Sequence, residues 1–305
     1  MNSFQYYSPK SVRETLNILD RCGENTYILA GGTDFIVKMR KKIVEPKNVV
    51  NLKKVEELSY IEEKDNIIKI GSMTTHSQIE QNKIINKKAT ILAEACRDVG
   101  STQIRNLGTI GGNIMNSSAA ADSVAALVAL DSSCVIVGSE GERLVNINDL
   151  YGKNGNAVIN KGEILKEIFF KTPNSNIVSG FKKLGRRSAL AIVVVSIGII
   201  IEKMPEENIC KNIRISLGAI SRNPCRAKAA EDILIGKEIN VDNIEKCLDK
   251  ISEFTVSNLE KSPFRNLISH KRYAVKGIGL EVFERICSEI KSVRRHNYGK
   301  SESVL

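Results

Sequence analysis

The 305-residue chain carries 42% hydrophobic and 26% charged residues, the balance of a folded globular protein rather than a disordered or fibrous one. That length predicts two domains, because a single core stops growing near this size. The formal charge is +10, but aromatic content is 5% and no nucleic-acid-binding motif is present, so the basic balance reads as a lysine-rich solvated surface.

The first segments predict a small parallel sheet with helices between its strands. Ser11 and Glu14 form a capping-box pattern, and Val12, Leu16 and Leu19 follow at helical spacing. Residues 27–30 read as a short strand running into Gly31-Gly32, residues 34–41 as helix, and 48–52 as a returning strand. A second lobe opens near Val55, with a strand at 66–71 and helices at 77–81 and 89–98, the latter closed near Gly100. The segment 108–113 is too glycine-rich to predict regular structure, while 119–130 reads as a buried helix and 134–137 and 164–170 as strands. From Thr172-Pro173 the pattern changes. Residues 181–184, 189–201 and 213–220 predict three long strands, and 226–235, 243–254 and 271–290 predict helices. Strands followed by helices indicate an α+β domain. The expected division is 1–175 (lobes 1–54 and 55–175), 176–290, and a basic, frayed tail at 291–305 that holds the charge run from Lys291 to Arg295.

The apolar run 189–201 contains Ser196 and Gly198 and is shorter than the roughly 20 residues of a membrane span, so no membrane association is expected. Met1 to Tyr6 lack the basic and apolar regions of a signal peptide, which makes the cytoplasm the expected location. Seven cysteines stand singly with no CxxC pair, and His76, His270 and His296 have no metal-ligand spacing. This argues against a disulfide framework, a zinc site or an iron–sulfur cluster held by this chain.

Two double-glycine loops carry the chemical signal: Ala30-Gly31-Gly32-Thr33-Asp34 and Thr109-Ile110-Gly111-Gly112-Asn113. Glycine lets backbone approach a ligand closely, and successive N–H groups then converge on an anion. Thr33 and Thr109 add hydroxyls. Neither loop is GxGxxG between strand and helix, so a Rossmann site is not supported, and no GxxxxGK[ST] phosphate loop is present. Two such loops suit a diphosphate, or else two tight turns. Asp122 caps the helix that follows it or contacts a ligand, and His76 reads as structural or exposed.

The stretch Ile28 to Asp34, followed by Gln103-Ile104-Arg105-Asn106-Leu107-Gly108 and the second loop, resembles the flavoprotein subunits of the xanthine dehydrogenase / carbon monoxide dehydrogenase family of molybdenum hydroxylases. The likeness continues through Asn116 to Ser123, Gly180 to Arg187, Leu217-Gly218-Ala219 and Asn223 to Ala227. It covers almost the whole chain in order. The resemblance implies a two-lobed FAD-binding domain of the vanillyl-alcohol-oxidase/PCMH type, followed by an α+β domain with a three-stranded antiparallel sheet. It also implies that residues 30–34 and 109–113 hold the FAD diphosphate. Leu29 and Phe35 would flank the first loop, and Gly100 would lie near the cofactor. Asp122 would contact the flavin nucleotide, Ile164 and Leu165 the ring, and Lys182 would stand near it.

On the same resemblance, the chain transfers electrons from iron–sulfur clusters through FAD to a transient NAD(P)+ acceptor, while a partner hydroxylates xanthine, another purine or a related N-heteroaromatic. No side chain here is catalytic by itself. Molybdopterin and the clusters belong to partners, a molybdenum-cofactor subunit and a small iron–sulfur subunit. Two rival readings predict different behaviour: a stand-alone FAD-dependent NAD(P)H oxidoreductase, and a non-catalytic basic adaptor or nucleic-acid-binding protein.

Overall fold

A computed structural model describes residues 3–185, 193–205, 207–260 and 265–287. Arg186-Arg187, the start of the apolar run at 189–192 and the tail 291–305 lie outside the described residues.

The first lobe is β1 (Gln5–Tyr7), α1 (Val12–Arg21), β2 (Thr26–Leu29), α2 (Phe35–Arg40) and β3 (Asn48–Asn51). Its strands form a parallel sheet in the order β1-β3-β2, as the alternation of strand and helix predicts. Ser11 caps α1 by accepting the Glu14 N–H at 3.0 Å, and Thr15, Ile18 and Leu19 form its buried face. Glu14 itself reaches back to the Lys10 N–H instead of closing the box on Ser11. Ile18, Leu19, Val50 and Leu52 then pack with Val137 and Ile164 of the second lobe, which fixes the two lobes together.

The second lobe contains β4 (Ile61–Lys64), β5 (Ile67–Gly71), α3 (His76–Gln81), α4 (Lys83–Lys88), α5 (Thr90–Arg97), α6 (Thr102–Leu107), α7 (Ile110–Met115), α8 (Asp122–Ala129), β6 (Ser133–Gly138), β7 (Gly141–Asn146) and β8 (Ile164–Lys171). Its antiparallel sheet runs β4-β5-β8-β6-β7. Helix α8 is buried on every side, which its small residues Ser123, Ala125, Ala126 and Ala129 permit. A complete capping box does occur, at Thr75 and Gln78 at the start of α3. The second double-glycine segment is helical rather than irregular. Helix propensity argues against two glycines in one turn, but the cap from Thr109 and the packing of that turn against Ser72 override it.

The third unit comprises β9 (Ile177–Gly185), β10 (Val193–Lys203), β11 (Cys210–Gly218), β12 (Cys225–Arg226), α9 (Lys228–Leu234), α10 (Val241–Glu260) and α11 (Ile268–Ile286). The sheet has four antiparallel strands in the order β12-β11-β10-β9, not three, because the two-residue β12 adds an edge too short to leave a sequence pattern. Its core joins Ile197, Ile199 and Ile215 to Leu248, Val275 and Phe283 of the helices. Phe181 and Ile200 belong instead to the core of the second lobe, so this sheet packs on the first domain. Glu94 of α5 ties the two by accepting the Phe181 N–H at 2.7 Å and Arg285 Nη2 at 2.8 Å.

Candidate functional site

A cleft of about 350 Å³ opens between the two lobes of the first domain. Both double-glycine loops reach it. Its wall includes Ala30, Gly31, Gly32, Thr33, Asp34, Phe35, Thr109, Gly111, Gly112, Asn113, Ile164 and Leu165. Segments far apart in sequence meet here because Gly31 sits directly on the Leu107 carbonyl, where any Cβ would collide with that backbone.

The loops use their backbone differently. The N–H groups of Gly31, Gly32, Thr33 and Asp34 donate to no protein group among the described residues. Gly32 adopts a φ of 74°, which turns the chain between β2 and α2. In the second loop the Ile110 N–H donates to Thr74 O at 2.9 Å, Gly111 to Ser72 O at 2.9 Å, Gly112 to Thr109 Oγ1 at 3.1 Å, and Asn113 to Thr109 O at 3.0 Å. The Thr109 hydroxyl accepts this bond and so caps α7, while its own O–H is left to donate. The expectation that both loops offer amide nests is corrected for the second one: the amides from Ile110 to Asn113 are already engaged.

Five expected residues do not line the cleft. Leu29 stands behind the first loop, with its Cδ1 3.1 Å from where a Gly32 Cβ would be. Ile110 is fully buried in the core of the second lobe. Gly100, at φ 49°, turns the chain out of α5, and its neighbours Val99 and Ile104 take the places in the wall. Lys182 pairs with Glu281 of α11 at 3.3 Å. Strand alternation turns the next residue, Lys183, toward the first domain instead, where its Nζ donates to Asp122 Oδ2 at 2.7 Å and to the Asp98 carbonyl.

Asp122 opens α8 without capping it; the cap position is Ala121. The carboxyl is buried and its Oδ1 has no hydrogen-bond partner. Burial pushes its pKa up to about 6, against the opposing pull of Lys183. Ser123 beside it donates to Asn113 Oδ1 at 2.7 Å, which links α8 to the second loop.

Several wall residues carried no sequence signal. Tyr27 stacks on Phe35 with ring centroids 5.6 Å apart. His76 is buried in the wall, and its own burial lowers its pKa to about 4, keeping the ring neutral. Glu163 is held by Arg143 at 2.8 and 2.7 Å and by Asn160, and these bonds hold its carboxyl down at about 2. Lys38 donates to Asn116 Oδ1 across the cleft at 2.7 Å.

Among the described residues no group of His, Cys, Asp and Glu is arranged to hold a metal, and no helix is long and apolar enough to cross a membrane.

Known proteins share this arrangement. Residues 2–173 match the family model for the FAD binding domain in molybdopterin dehydrogenase, and residues 179–263 that for the CO dehydrogenase flavoprotein C-terminal domain. The chain is 32% identical to the nicotinate dehydrogenase FAD-subunit of Eubacterium barkeri, over 95% of this chain and 98% of that one. It is 26% identical to the xanthine dehydrogenase FAD-binding subunit of Escherichia coli O157:H7, over 81% and 84% of the two chains. Among solved structures, quinoline 2-oxidoreductase from Pseudomonas putida 86 superposes with a TM-score of 0.83 at 25% identity, covering 94% of this chain and 98% of that one. With both family models matched in order along a fold of this kind, the chain belongs to the FAD-binding medium subunits of the molybdenum hydroxylases and is a flavoprotein component of an oxidoreductase.

Proposed function

We propose that this subunit passes electrons from iron–sulfur clusters on a partner, through FAD, to NAD(P)+, while a molybdenum-cofactor partner hydroxylates xanthine, another purine or a related N-heteroaromatic. The observation that carries the reading is the set of four unengaged amides from Gly31 to Asp34 in the cleft wall. Consecutive N–H groups that meet no protein acceptor converge on an anion, and a diphosphate supplies the acceptors they lack. The residues present therefore fit FAD. Gly31, Gly32, Thr33 and Asp34 would hold its diphosphate, while Thr109, Gly111, Gly112 and Asn113 would form the opposite wall and supply shape rather than amide donors. Ile164 and Leu165 offer an apolar surface to a ring, and Tyr27 and Phe35 an aromatic one. Bound FAD supplies the exchange between one-electron and hydride transfer that no side chain here provides.

The partners follow from the scattered cysteines: clusters need thiolate sets, and this sequence has no CxxC spacing to build one. The E. barkeri and E. coli relatives, named as FAD subunits of a nicotinate and a xanthine dehydrogenase, support a multisubunit assembly and an N-heteroaromatic substrate. A cytoplasmic location completes the proposal. It is tested by purifying the complex from the native source and recording metals, absorbance and acceptor use. Molybdenum, iron and FAD in one assembly, with reduction of NAD+ or NADP+ on adding xanthine or nicotinate, is the expected result. A colourless chain that is folded and takes up no FAD would remove the reading at its base.

A further inference from the structure

Charge in the cleft is sparsely distributed. Among its wall residues Lys38 is the one lysine or arginine, and Asp34 and Glu163 are the carboxylates. Glu163 is taken by Arg143. Two other half-buried lysines, Lys88 and Lys183, stand against a carboxylate, Glu63 at 2.6 Å and Asp122 at 2.7 Å. Lys38 does not. Its side-chain partner is the neutral amide oxygen of Asn116, although Asp34 lies one turn earlier at the N-cap of the same helix. Asp34 Oδ2 is instead 3.5 Å from Thr33 Oγ1. A partly buried ammonium that meets only a neutral oxygen keeps most of its charge available for an anion.

Its place suits that use. The Lys38 N–H bonds to Asp34 O at 2.9 Å, so Lys38 follows the unengaged amide of Asp34 by one helical turn, a rise of about 6 Å. A lysine side chain spans that distance with rotamer freedom to spare. We infer that Lys38 is the charge partner of the cofactor's diphosphate, leaving Asn116 to neutralise the anion that the amides of residues 31–34 orient. This rests on the FAD reading and adds to it the one residue that supplies net charge. The amides confer shape and direction; Lys38 confers dependence on ionic strength.

The test is titration of the full-length apoprotein with FAD, followed by flavin fluorescence, from about 20 to about 500 mM salt. Riboflavin, which has the ring but no phosphate, serves as the comparison ligand. Wild type is expected to lose FAD affinity as salt rises. In K38M the FAD affinity at low salt should fall about tenfold or more, and the salt dependence should flatten. K38R should keep both, and riboflavin binding should be equal in all three proteins. If K38M bound FAD like wild type at every salt concentration, the assignment would fall while the FAD reading stood. Equal losses for riboflavin and FAD would also overturn it, by showing a role in folding or ring binding. Wild type that took up no FAD at all would sink the reading beneath it.

Discussion

The two double-glycine loops share a Gly-Gly pair and are opposite in what they do with their backbone. The first leaves the N–H groups of Gly31 to Asp34 unengaged; the second commits those of Ile110 to Asn113 to Thr74, Ser72 and Thr109. In the first, glycine permits a positive φ at Gly32 and the contact of Gly31 with Leu107. In the second, Gly111 lets a helical turn lie flat on Ser72. The difference teaches that a Gly-Gly pair signals close backbone approach and no more. Whether the approach serves a ligand or another strand is decided by what occupies the donors.

The strongest way to break the comparison is to add a methyl group to each loop. A Cβ at Gly31 would run into the Leu107 carbonyl, and one at Gly111 would stand 2.6 Å from Ser72 Cβ and 2.7 Å from Ser72 O. Backbone cannot yield as a flexible side chain can, so each substitution should cost about 3 kcal/mol or more. G31A should also abolish FAD uptake, whereas G111A should lower the melting temperature more than it lowers affinity per folded molecule. Urea unfolding with parallel FAD titration separates the two. Equal affinity losses in folded protein would mean that the loops share one role.

A smaller effect sharpens the same contrast. Thr109→Ala removes the cap of α7 and should destabilise by about 1 kcal/mol with little change in FAD affinity. Thr33→Val removes a hydroxyl that caps nothing, so stability should stay within about 0.5 kcal/mol while FAD binding weakens. The reverse pattern, measured by calorimetric unfolding and titration, would exchange the functions assigned to the loops.

Much of this was legible beforehand, and the failures have physical causes. Strand alternation and turn residues located β2, β5, β8 and the long strands of the third unit. The engagement of the second loop was not legible, because Ser72 and Thr74 lie at the end of β5, in another part of the sequence. Helix α7 was hidden because its propensity is poor and its support is tertiary. Choosing between Lys182 and Lys183 requires the face of β9, and a slip of one residue reverses it. Lys38 looked like one lysine among many until the cleft showed that it stands against no carboxylate there.

The gentlest expected effect is a slope in pH, and it arises on the side of the second loop. Asn113 is tied through Ser123 to α8, where Asp122 is buried with its pKa raised from 3.8 to about 6, chiefly by burial and against the pull of Lys183. The folded state therefore binds more protons than the unfolded chain between those values. The corresponding stability is fully present below the lower value and is lost as pH rises through the upper one. D122N cannot take up that proton. Unfolding free energies measured from about pH 4 to about pH 7 should show wild type falling relative to D122N across the window and then running parallel to it. Wild type rising relative to D122N would mean that the ion pair with Lys183 outweighs burial. In that event the first loop would still differ from the second, since its amides carry no proton to lose, but the support beneath the second would have to be reassigned from a buried acid to a salt bridge.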